Sequence, residues 1–100
     1  MKYQIIYSPL AGKQRNEIIL WYAERSLPAM ENFIIELDTV VKGLYLNPQR
    51  FRKTYKNYHQ VALKKFPYYV IYSVKEQDGI VIIASIWHHK RSSRKKYSNL

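Results

Sequence analysis

"YYVIYSVKEQDGIVIIASIW", residues 68–87, decides the fold of this 100-residue chain. Its opening run alternates: Tyr68, Val70, Tyr72 and Val74 fall on one side of an extended backbone, and Tyr69, Ile71 and Ser73 on the other. "EQDG" (76–79) supplies turn chemistry, with Gly79 free to take a positive φ. "IVIIASIW" (80–87) is apolar on both faces, which predicts a central strand and not an edge.

Downstream, the apolar run empties into charge. His88, His89, Lys90, Arg91, Arg94, Lys95 and Lys96 follow, and Tyr97 closes the block. Such a block serves as a solvated tail, a nucleic-acid grip or part of an active site. Upstream, "HQVALKKF" (59–66) alternates and "FRKTYK" (51–56) is a weaker strand candidate.

Before residue 50 the period is helical. "KYQIIYS" (2–8) is a short β-rich run, and Ser8–Pro9 then opens a helix, serine as N-cap and proline at the first helical position. That helix is expected to run to about Arg25 and to bury Leu10, Ile18, Trp21 and Tyr22, with "SLP" (26–28) as the break. Met30, Phe33, Ile34, Leu37, Val41 and Leu44 mark the apolar face of a second helix, which "NPQR" (47–50) ends because proline cannot continue the ladder. So short a link predicts an antiparallel helix hairpin. The expected fold is α+β, a single β-α-α-β-β-β domain over 1–100 with an antiparallel-rich sheet and the hairpin on one face. The opposite face should then be open, carrying Gln60, Ala62, Lys64, Tyr69, Ile71 and Ser73 beside the basic end.

Composition narrows the function. The absence of cysteine rules out disulfides and thiolate metal sites, and no run is long enough to span a membrane, so the chain reads as cytosolic. The formal net charge is +10 and lopsided: of 17 Lys and Arg only Lys2, Lys13, Arg15 and Arg25 precede residue 39, whereas of 7 Asp and Glu only Glu76 and Asp78 follow it. That asymmetry favours a polyanionic partner, nucleic acid or an acidic protein. The adjacent His88 and His89 point to opposite sides of an extended chain, so one at most faces a given site, and no third ligand completes a metal site. No cofactor is expected. His59 reads as a strand-surface residue, Trp21 as core, and of the 10 tyrosines only Tyr69 and Tyr97 as free to stack on a base.

Taken in order, "YQIIYSPLA", "ILWYAE", "LNP", "ALKKFPYYVIYSV" and "IVIIASIWHHKR" resemble the toxins of the RelE/ParE superfamily, the growth-arresting half of bacterial type II toxin–antitoxin modules. "KKFPYYVIY" followed by H-x-x-R at His88 and Arg91 is the most specific part, and the likeness covers nearly the whole length. The resemblance implies a cognate antitoxin that wraps the toxin, and one of two activities. ParE-type members bind DNA gyrase and block it; RelE-type members cut mRNA on the ribosome without a metal. A degenerate member would bind its antitoxin and poison nothing.

For RNA cleavage the resemblance implies Tyr97 as base, Arg91 as phosphate clamp and His88 (or His89) as acid. Against it, Gln60, Ala62 and Tyr69 stand where RelE-type enzymes carry sheet lysines and an arginine. The reading therefore leans to the gyrase-directed type. The target-binding surface is expected to comprise Arg50, Arg52, Lys53, Lys56, Lys64, Lys65, Tyr69, Lys90, Arg94, Lys95 and Lys96.

Overall fold

The computed structural model describes residues 2–91, 95–98 and 100. Strand β1 (Gln4–Tyr7) leads into helices α1 (Pro9–Ala23) and α2 (Leu27–Leu46), followed by strands β2 (Lys53–Tyr55), β3 (Tyr58–Ala62), β4 (Tyr68–Lys75) and β5 (Ile80–His88). The strands form one 5-stranded sheet in the order β1-β5-β4-β3-β2. β1 runs parallel to β5 and the other pairs are antiparallel. "IVIIASIW" is central, as its two apolar faces require. The expected order holds with one strand more after the helices, since "KTY" within the weak candidate pairs with β3.

Local chemistry sets the helix ends. Ser8 Oγ accepts from Ala11 N at 3.0 Å and donates to Ala84 O at 3.0 Å, tying the start of α1 to β5. Ser26, expected within the break, is itself the N-cap of α2 and accepts from Ala29 N, so Leu27 and Pro28 open that helix. Asn47 leaves the helical region (φ −145°, ψ 75°) before Pro48. Gly79 takes φ 63° at the turn into β5.

The core lies between helices and sheet. Phe33, Leu37 and Leu44 of α2 and Ala11 and Ile18 of α1 meet Val61, Val70, Tyr72, Val81, Ile83 and Ile86. Burying each large side chain contributes about 1.5–3 kcal/mol. Two sequence assignments need correction. Trp21 is 50% exposed: Ile18 and Tyr22 take the inward positions of α1, and the indole sits on its flank beneath the Arg25 guanidinium at 3.9 Å. His59 is only 3% exposed, because it shares the core side of β3 with Val61. Its ring stacks on Tyr72 at 4.9 Å, and its Nδ1–H donates to the Phe51 carbonyl at 2.7 Å.

One irregularity controls the sheet faces. Ile71 pairs with Ser85 but Tyr72 pairs with Ile83, so Ala84 is an extra residue in β5. Val81 and Ile83 before the bulge and Ile86 after it all face the helices. Ser85 and Trp87 are turned to the opposite face with Tyr69 and Ile71.

That opposite face is open only in part. Ala62 is exposed, but Ile71 is fully buried and Ser85 and Trp87 nearly so. Lys96 reaches back to Gln60, the cross-strand partner of Ile71, and Gln14 of α1 meets Ser85.

Candidate functional site

The face away from the helices carries Tyr58, Gln60 and Ala62 of β3 opposite Ser73, Ile71 and Tyr69 of β4. Tyr97 lies over its β2–β3 side, stacked on Tyr55 at 4.6 Å and on Tyr58 at 5.8 Å. Its hydroxyl is hydrogen-bonded to Thr54 and lies 3.5 Å from Gln60 Oε1. Lys96 Nζ donates to the same Gln60 oxygen at 2.8 Å and sits 4.4 Å from the centre of the Tyr69 ring. Burial, and then the neighbouring Arg52 guanidinium, hold the Lys96 ammonium below the usual lysine range. Tyr97, Lys96, Arg52, Gln60 and Tyr69 thus form one cationic, aromatic cluster. The rings of Tyr69 and Tyr97, expected to be free, already have partners: His89 approaches Tyr69 at 4.1 Å.

The remaining cations are divided. Lys56 lies beside the Tyr55 ring, adjoining the Tyr97 cluster. Lys53 pairs with His59 and so stands on the helix side of β2. The backbone N–H groups of Lys64 and Lys65 donate to the Glu36 carboxylate of α2, and with Arg50 these lysines rim a groove between α2 and β3. Lys90 and Arg91 follow β5, the Lys90 N–H donating to His88 Nδ1 and the Arg91 guanidinium standing 5.4 Å from the Trp87 ring centre. Lys95 is exposed; Arg94 lies outside the described residues. His88 and His89 do diverge, His88 against Tyr68 on the helix side and His89 against Tyr69 on the other. His88 and Tyr97 therefore occupy opposite faces of the sheet. Among the described residues no three His, Asp or Glu side chains gather where a metal could sit.

Sequence reasoning overlooked Thr54, Tyr55 and Tyr58, which hold Tyr97. The alternation of Tyr58, Gln60 and Ala62 puts Tyr58 and Gln60 on one face, but only the fold shows that residue 97 returns to them.

A family model, the ParE toxin of the type II toxin–antitoxin system parDE, matches residues 5–93. The chain belongs to the ParE toxin family. The toxin's fold is also that of solved relatives. It is similar to the chromosomal ParDE system from P. aeruginosa (TM-score 0.72, 16% identity, covering 87% of this chain and 96% of that one). It is similar as well to the isolated E. coli RelE toxin (TM-score 0.63, 14% identity, 97% and 95% covered). A third likeness is to the RelBE2 toxin–antitoxin complex from Mycobacterium tuberculosis (TM-score 0.59, 13% identity, 88% and 99% covered). No curated protein matches the toxin by sequence. No described helix is long and apolar enough to cross a membrane.

Proposed function

We propose that this toxin arrests bacterial growth by binding DNA gyrase through the Tyr97 cluster and the cationic rim of Arg52, Lys56, Lys95 and Lys96, without cutting nucleic acid itself. The observation that supports this best is the separation of His88 from Tyr97. Proton transfer needs acid and base within hydrogen-bond reach of one substrate. With the two side chains on opposite sheet faces, His88 and Tyr97 do not form an acid–base pair, and His89, the alternative acid, shares the Tyr97 face but rests against the Tyr69 ring. The neutral Gln60, Ala62 and Tyr69 on the sheet face and the match to the ParE family model agree with a docking surface.

The ribosome-dependent mRNA endonuclease is the second reading. Its support is Lys96, whose weakened hold on its proton suits transfer chemistry beside the Tyr97 hydroxyl. A cognate antitoxin completes either version; relatives of this fold are seen in ParDE and RelBE complexes. With 17 basic against 7 acidic residues in the toxin, the antitoxin's contacting segment is acidic.

The purified toxin should inhibit gyrase supercoiling, leave mRNA on programmed ribosomes intact and slow growth when induced. Arg52→Glu should weaken gyrase inhibition at least about tenfold while the fold is retained, because the side chain is exposed. Cleavage of mRNA that Arg91→Ala or Tyr97→Phe abolishes would establish the endonuclease instead. No growth arrest on induction would mark the toxin as an inert member.

A further inference from the structure

β1 pairs with β5 only from Ile80 to Ile83. Beyond that point the outer edge of β5 has α1 as its neighbour, and the Gln14 side chain replaces a strand: its Oε1 accepts from Ile86 N at 2.8 Å and from Ser85 Oγ at 3.2 Å. Two adjoining cavities open along this edge, with Gln14, Glu17 and Arg91 in the walls of both.

Their chemistry differs. The first, about 360 Å³, is lined by the rings of Trp21, Tyr22, Tyr68 and His88. The second, about 160 Å³, is rimmed by Lys13, Arg91, Lys95 and Lys96 and floored in part by Trp87. The Trp87 indole N–H is buried and has no hydrogen-bond acceptor among the described residues. Among the described residues Glu17 is the one side-chain carboxylate in these walls; it stands 4.0 Å from Lys13 Nζ, which offsets its charge, and Leu100 also lines the second cavity.

An aromatic slot beside a cationic one, with an arginine between them, suits a ligand with a flat ring at one end and an anion at the other. We infer that the α1–β5 edge binds a nucleoside monophosphate, the base among Trp21, Tyr22, Tyr68 and His88 and the phosphate among Lys13, Arg91 and Lys95. The larger cavity lies at the lower end of the roughly 300–1,000 Å³ common for small-molecule sites, which suits a single base with its ribose. Aromatic faces stack on any base, and arginine forms paired hydrogen bonds with phosphate oxygens. The Glu17 carboxylate is an acceptor for an exocyclic amino group, favouring adenine, guanine or cytosine over uracil. The groove is separate from the Tyr97 cluster; Lys96 alone belongs to both.

The toxin's 2 tryptophans, Trp21 and Trp87, provide one reporter for each cavity. In NMR titrations of the intact toxin, AMP should shift both indole N–H signals, adenosine chiefly that of Trp21 and inorganic phosphate chiefly that of Trp87. Trp21→Leu and Lys13→Glu should each weaken AMP binding about tenfold or more, as expected for a lost base stack or a reversed phosphate contact. Tyr55→Phe, on β2 and in the walls of neither cavity, should leave it unchanged. Lys13 is exposed, so its variant folds whatever becomes of the Trp21 variant. Unmoved indole signals at millimolar AMP in a well-dispersed spectrum, or wild-type affinity in the Lys13 variant, would overturn the assignment.

Discussion

The buried pair His59 and Tyr72 links β3 and β4 to the turn that follows α2. His59 Nδ1–H is held by the Phe51 carbonyl, and the Tyr72 hydroxyl donates to the Pro48 carbonyl at 2.7 Å. Burial pushes the Tyr72 phenol up to about 12, with a Phe51 backbone hydrogen bond pulling the other way. Burial likewise raises Tyr7, Tyr22 and Tyr68. A phenol with a raised folded pKa keeps its proton longer in the folded state than in the unfolded one. The stabilisation is whole below about pH 10 and is lost as pH rises towards about 12. Denaturant titrations between pH 9 and 12 should show falling stability, and Tyr72→Phe should flatten part of that fall. At neutral pH the same variant should lose about 1 kcal/mol, because the Pro48 carbonyl is left without its partner. The alternation already sets His59 beside Val61, opposite the face of Gln60, Ala62 and Lys64. What it does not show is that Tyr72 and the Phe51 carbonyl close over the ring.

At the scale of elements, the start of α1 was legible because capping is local: Ser8 acts on an N–H three residues away. Ser26 does the same for α2, although its place in "SLP" reads as a break. The β4–β5 pair was legible too, since a period of 2 followed by a glycine turn leaves few alternatives. The bulge at Ala84 was not: an apolar run reads the same with or without a register shift, and only pairing with β4 reveals it. Gln14 is the other element-level device, satisfying the edge of β5 where β1 stops. Gln14→Ala should cost about 1–3 kcal/mol by leaving the Ile86 N–H buried without an acceptor. Hydrogen exchange at Ile86 should accelerate with it, while Val81, within the β1–β5 ladder, should exchange at its usual rate.

Over the whole molecule, the basic end is part of the fold as well as part of the site. Tyr97 stacks on two tyrosines and bonds to Thr54, and Lys96 bridges to Gln60, so the segment is held against β2 and β3. Tyr97→Ala should cost about 2 kcal/mol in stacking and burial and lower Tm by about 4–8 °C for each kcal/mol, measured by thermal unfolding. Charge acts over the same distance. With a net charge of +10, affinity for an acidic antitoxin should fall as salt rises from 0.05 to 0.5 M, chiefly through slower association; an affinity indifferent to salt would count against an acidic partner.

The residue pattern by itself determined the succession of elements, the Ser8 cap of α1, the central place of β5 and the excess of positive charge, because each arises from neighbours a few positions apart or from simple composition. Tertiary structure alone decided that Tyr72 and Phe51 close over His59, that Trp21 is exposed, that His88 and Tyr97 lie on different sides of the sheet, and that Lys96 and Tyr97 cover part of the face expected to be bare. Those outcomes depend on register and on contacts between residues some forty positions apart, such as Thr54 and Tyr97, which no local periodicity encodes.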